Sequence, residues 1–98
     1  MKSRNPTAEE KRWMSSISQI GCIVCLLEHE VYSPAMIHHI DGKVKPGAHF
    51  KTLPLCFNHH QSGKDCEEYT SRHPYKARFE ARYGAELELL EKVKGMAA

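Results

Sequence analysis

Residues 54–60, PLCFNHH, place one cysteine and two adjacent histidines within seven positions. The whole chain has only 4 Cys and 7 His. Cys56 and His59 form a C-x-x-H pair, a spacing that carries both side chains to one side of a tight turn. Upstream, Cys22 and Cys25 in "CIVC" form a C-x-x-C pair. Two such knuckles brought together make a Cys3His set, which suits zinc because thiolate and imidazole match its softness and it asks only for four tetrahedral ligands. A redox pair is the other use of C-x-x-C, but no βαβ pattern surrounds Cys22 and Cys25. Cys66 is left over, either as a fourth ligand in place of His59 or as a small buried hydrophobe. A zinc ion held this way contributes folding free energy, since its site does not pre-exist in the unfolded chain.

If His59 serves that cluster, His60 faces another way. "IHHI" supplies its natural partners, His38 and His39. Neighbouring side chains on an extended strand point to opposite faces, so one histidine of the pair is free to bind a metal while the other stands over a substrate. His73 in "SRHPYK" is a third member of the cluster, and His49 in "GAHFK" a further candidate. Such a set suits phosphodiester hydrolysis. A divalent ion held by imidazoles keeps open positions for a phosphate, and a neutral histidine takes a proton from the attacking water.

Ninety-eight residues make a single domain, residues 1–98, near the size at which an apolar core alone begins to suffice, so a structural metal helps it considerably. No run of some twenty apolar residues predicts a membrane span, and "MKSRNPTAEEKRW" lacks the apolar stretch of a secretory signal. A cytoplasmic protein with reduced thiols is the expectation. The formal net charge of +2 permits contact with nucleic acid without arguing for it.

The expected fold is α+β: a small, zinc-stapled domain with flanking helices and little sheet. A helix is predicted over about residues 7–20, with Thr7 and Glu10 at capping-box spacing, Gly21 as its stop, and Trp13, Ile17 and Ile20 on one face. "CIVC" reads as a tight turn. "AMIHHIDG" reads as a strand ending at the turn pair Asp41-Gly42, and "TLPLC" as a second strand that Pro54 confines to an edge. "GKVKPGAHFK" between them reads as an exposed basic loop, and a short helix follows Cys56. "HPYKARFEARYG" predicts a helix with Tyr75, Phe79 and Tyr83 along one stripe, and "AELELLEKVKG" a last helix with Leu87, Leu90 and Val93 inward. The core spans about residues 20–95.

The order of these motifs resembles the HNH, or ββα-metal, endonuclease superfamily: C-x-x-C, an apolar strand ending in His-His, a loop, then L-C-x-x-H-H leading into a helix. The resemblance implies that His38 and His60 are ligands of a catalytic metal and that His39 is the general base. His59 then serves the structural zinc and His60 the second ion. "HPYKARFEARYGAELELLEKV", together with "IHHIDG" and "GAHFKTLPLC", is further similar to the recombination-enhancement (Ref) group, phage nucleases that cleave DNA where a RecA filament is bound. That likeness implies a phage or prophage origin, action in a bacterial host cell, and His73 as a ligand of the second site. The Asn of the HNH pattern is absent; Lys51 stands at its usual place, and His49, two residues earlier, is the candidate for its loop-bracing role.

The expected function is therefore a metal-dependent DNA endonuclease using a structural Zn2+ and a catalytic Mg2+, Mn2+ or Zn2+. DNA and a RecA filament are its expected partners. Lys43, Lys45, Lys51, Lys64 and Arg72, in and beside the loops that flank the histidines, are candidate phosphate contacts, giving salt-sensitive and largely sequence-blind binding. The competing reading is a zinc-stapled module that binds DNA or a recombinase without cutting. A metallohydrolase of small phosphates is less favoured, because no Gly-rich phosphate cradle is present. Oligomeric state is not encoded in any feature of the chain.

Overall fold

A computed structural model of the chain describes residues 5–97, so the polar start of the sequence, residues 1–4, lies outside the described residues. The first helix, α1 (Ala8–Ile20), begins as expected. The Thr7 hydroxyl accepts from the Glu10 amide at 3.1 Å, and the Glu10 carboxylate accepts from the Thr7 amide at 2.7 Å. Two otherwise unpaired donors are thereby satisfied reciprocally. Gly21 ends the helix at φ +82°, and a Cβ there would meet the Tyr32 ring and the Ser33 carbonyl oxygen within 2.8 Å. Glycine is required at this point for both reasons.

"CIVC" is not a free-standing turn. Cys22 is the N-cap of α2 (Ile23–His29), which puts Cys25 in the helix's first turn. A one-turn helix start gives the same three-residue proximity as a turn, and Ile23 and Val24 are fully buried there. β1 (Met36–His39) and β2 (Thr52–Leu55) form an antiparallel pair with His38 opposite Leu53 and His39 opposite Thr52. α3 (Phe57–His60) follows β2 directly, so the chain runs strand, loop, strand, helix through the histidines. The loop between the strands is exposed at Lys43 and Lys45 but not throughout. A 3-10 turn, Ala48–Phe50, tucks Ala48 and His49 inward. Trp13 explains the anchorage: its indole N–H donates to the Thr52 hydroxyl at 2.9 Å, and that hydroxyl donates to the His49 carbonyl at 3.2 Å.

β2 is buried along its whole length because helices cover both faces, with α1, α2 and α5 (Glu86–Met96) all packing against it. Ile17, Ile23, Leu53, Leu55, Phe79, Leu89 and Val93 form the centre of the core. Two helix faces differ from the expected ones. Tyr75 is the N-cap of α4 (Lys76–Tyr83) and is exposed, while Phe79 is fully buried and Tyr83 half-buried. In α5, Leu87 is 58% exposed, and the inward stripe is Glu86, Leu89, Leu90 and Val93. That set has the i, i+3, i+4, i+7 spacing of an amphipathic helix, but a glutamate heads it. Leu90 and Val93 are buried as expected; reading charge as outward put Leu87 on that face in place of Glu86. No helix among the described residues is long and apolar enough to cross a membrane.

Candidate functional site

Two clusters lie back to back around α3. In the first, Cys22, Cys25, Cys56 and His59 bring their ligand atoms within 4.8 Å of one another. Cys22 and Cys56 occupy the N-caps of α2 and α3, and Cys25 and His59 follow three residues later inside each helix. The Cys25 and Cys56 sulfurs are 3.8 Å apart, and His59 Nδ1 lies 3.5, 3.6 and 3.1 Å from Cys22, Cys25 and Cys56. Zinc bonds of about 2.3 Å to sulfur and about 2.05 Å to nitrogen give tetrahedral edges of about 3.8 Å between sulfurs and about 3.5 Å from sulfur to nitrogen. The donor set and its spacing fit that ion. All four cysteines of the chain are free thiols. Cys66 is exposed and outside the cluster, so it is neither the fourth ligand nor a buried hydrophobe.

The cluster's acid–base state also suits a dication. The hydrogen bond from Cys22 holds the Cys56 thiol far below its ordinary range, against burial and with help from His59. Cys22 is pushed up by that same bond and by burial, and Cys25 chiefly by burial. Three sulfurs so close tolerate one negative charge among them until a metal compensates the rest. Tyr83 closes the cluster from α4, its ring 5.2 Å from that of His59 and its hydroxyl accepting from the Thr70 amide.

The second cluster is His38, His60 and His73, whose ligand nitrogens also lie within 4.8 Å of one another. Their ring centroids are 5.1–5.2 Å apart in edge-to-face arrangement. His38 comes from β1 and is buried, His60 from the end of α3, and His73 from the exposed segment before α4. Thirteen positions separate His60 and His73 in sequence, yet backbone bonds join them. The amides of Arg72 and His73 donate to the His59 and His60 carbonyls at 2.8 and 3.0 Å, satisfying the carbonyls that the end of α3 leaves open. His60 Nδ1 sits 2.8 Å from the Met36 sulfur.

Burial lowers the pKa of His60 to about 4, with the neighbouring His38, His73 and Arg72 adding to the effect. His73 is lowered too, by burial and then by His38 and Arg72. Both imidazoles are therefore neutral near pH 7 with lone pairs to offer, the state a metal requires. Three imidazoles this close, with His73 exposed, are a donor set that could hold a divalent ion.

His39 points to the opposite face of β1. Its Nε2 lies 2.9 Å from His49 Nδ1, with the rings 5.0 Å apart at 81°. His49, from the 3-10 turn of the loop, thus meets the end of β1. His39 Nδ1 is covered and has no hydrogen-bond partner. Burial lowers the His39 pKa to about 4, with Lys43, His49 and His38 adding to the shift, so its imidazole is neutral at pH 7.

The five candidate phosphate contacts divide. Lys43, Lys45 and Lys64 are exposed, whereas Lys51 is exposed but 3.6 Å from the Asp41 carboxylate. Arg72 is different: its side chain is 12% exposed, and its Nε donates to Glu86 Oε1 at 2.9 Å. Its partner is a buried carboxylate, which removes it from the set of free surface cations. Glu86 itself escaped the sequence reading, because a lone glutamate at the start of an amphipathic helix looks like a solvated cap. Its position at the head of the Leu89, Leu90, Val93 stripe is the one signal that marks it.

Beyond this geometry, the chain matches the family model described as "Recombination enhancement, RecA-dependent nuclease" over residues 6–98.

Proposed function

Because this chain belongs to the recombination enhancement, RecA-dependent nuclease family, we propose that it is an endonuclease of the HNH type that hydrolyses DNA phosphodiester bonds with a divalent metal. The observation that supports this most directly is the convergence of His38, His60 and His73 beside a strand–loop–strand–helix unit already held by a separate Cys3His cluster. Cys22, Cys25, Cys56 and His59 would hold the structural zinc. His38, His60 and His73 would hold the working ion, which when bound polarises the scissile phosphate and stabilises the leaving oxygen.

His39 is the candidate general base, acting from the other face of β1. Its low pKa keeps it neutral, and its pairing with His49 fixes the ring beside the loop. With Nδ1 covered and Nε2 turned to His49, water reaches His39 only when that pair opens. The pair therefore acts as a brace that entering DNA must displace. Exposed Lys43, Lys45 and Lys64, with Lys51 beside Asp41, are the candidate phosphate contacts. The family's description, a RecA-dependent nuclease of recombination enhancement, supports action on DNA bound by a RecA filament as the finer reading.

A plasmid relaxation assay tests the proposal. Wild type and His39→Ala are compared with added Mg2+ or Mn2+, with and without a RecA filament. Metal-dependent nicking by wild type that is lost in His39→Ala, while DNA and metal binding persist, supports the nuclease and its base. Nicking only with the filament supports the finer reading. Retained DNA binding with no cleavage under any condition favours a zinc-stapled binding module instead, the reading to which the covered His39 nitrogen lends weight.

A further inference from the structure

We propose that Glu86 is a positioning residue for the three-histidine site, a buried carboxylate that clamps His38 with one oxygen and Arg72 with the other and so sets two of the three ligands at once. The proposal rests on the reading of His38, His60 and His73 as a metal site.

Glu86 is 1% exposed, yet it carries a carboxylate. A buried charge persists only when it is paired and hydrogen-bonded. Both oxygens are used: Oε2 lies 2.6 Å from His38 Nε2, and Oε1 accepts from Arg72 Nε at 2.9 Å. An ionised carboxylate has no proton to give, so in this contact the imidazole donates. His38 then carries its proton on Nε2 and keeps the Nδ1 lone pair for the ligand cluster. A carboxylate that fixes the tautomer and the orientation of a ligand histidine raises that ligand's basicity and is a general partner of metal-bound imidazole.

The second oxygen extends the effect to His73. Arg72 is its immediate neighbour, and the amides of both residues are held on the end of α3. Fixing the Arg72 side chain therefore fixes the segment that presents His73. Glu86 is itself fixed, because Leu89, Leu90 and Val93 seat α5 in the core and the Glu86 amide donates to Glu80 Oε2 at 2.8 Å. A stability role alone accounts poorly for this arrangement, since buried ionic triads are often replaceable by apolar side chains without loss of stability.

The test uses the full chain carrying its structural zinc. Calorimetric titration with Zn2+ measures uptake of a second ion by wild type, Glu86→Gln and His38→Ala, and mass spectrometry reports the ion retained by the cysteines. The expected result is second-ion binding by wild type, loss of it in His38→Ala, and a roughly 10–100-fold weaker second site in Glu86→Gln, with the cysteine-held zinc unchanged. Equal second-site affinity in wild type and Glu86→Gln overturns the clamp while leaving the metal site intact. Absence of a second ion in wild type overturns the site itself, and the clamp with it. Should Glu86→Gln not fold, nitrogen-15 spectra of the wild-type imidazoles decide the matter. In the zinc-loaded protein, His38 protonated on Nε2 supports the clamp, and His38 protonated on Nδ1 overturns it.

Discussion

Removing the ion from the Cys22, Cys25, Cys56 and His59 cluster should unfold this domain rather than loosen it. The four ligands tie the start of α2 to the start of α3, and both helices pack on β2 at the centre of the core. Apparent binding free energies for structural zinc are about 10–16 kcal/mol near neutral pH. The net stability of a domain of 98 residues is on the order of 5–15 kcal/mol. A zinc ion there would thus contribute as much as the whole stability, and two of the buried core residues, Cys22 and Cys25, belong to the cluster that would hold it. A second quantity follows from the acid–base state. In the unfolded, metal-free chain the Cys22, Cys25 and Cys56 thiols have an ordinary pKa of about 8.5 and are protonated near pH 7. Zinc binding coupled to folding near pH 7 should therefore release about three protons, and its apparent affinity should rise about a thousandfold per pH unit, because each proton released contributes a factor of about ten. Circular dichroism during titration with a chelator, followed by zinc addition in weakly buffered solution, measures both. A helical signal and melting transition that survive complete zinc removal would refute the first argument. Release of only about two protons would refute the second, by showing that one thiolate persists in the metal-free chain.

Other expectations concern the imidazoles, α5 and the loop lysines. His39 and His60 should charge near pH 4 in an NMR titration rather than near the ordinary value of about 6.5. Because the folded pKa is below the unfolded one, the unfolded chain binds more protons between those limits. Stability therefore falls as pH drops from about 6.5 towards 4; titration midpoints near 6.5 would contradict the burial argument. Leu89→Ala should destabilise by about 2–5 kcal/mol, whereas Leu87→Ser should stay within about 0.5 kcal/mol, as denaturant melts can show. A larger cost at Leu87 would return the helix to the face expected from sequence. Lys43→Ala and Lys45→Ala should each lower the slope of log affinity for DNA against log salt by up to about 0.9, the value for one phosphate left without its cation. Unchanged slopes would place the DNA elsewhere.

The first helix, the two knuckles and the strand pair were legible because each is a local pattern. A capping box, a three-residue ligand spacing and an apolar run before Asp41-Gly42 are written within a few positions and need no knowledge of distant neighbours. The division of labour between His59 and His60 was legible for the same reason: adjacent residues of one helical turn face different ways, and one of them shares its spacing with a cysteine. Sequence names His73 as a cluster member, but what brings it to His38 and His60, amides that close the end of α3 from thirteen residues away, has no local signature. Glu86 is further removed. Taken alone, a glutamate at the head of a helix belongs in water, and only the meeting of β1, Arg72 and α5 gives its two oxygens buried partners. The same meeting put Glu86 rather than Leu87 beside Leu90 and Val93 on the inward face of α5 and drew Arg72 from the surface to a buried carboxylate. Sequence by itself determined which side chains have ligand chemistry and which short elements carry them. Tertiary structure decided which of them meet and which charge is buried among them, because burial and pairing are properties of neighbours in space.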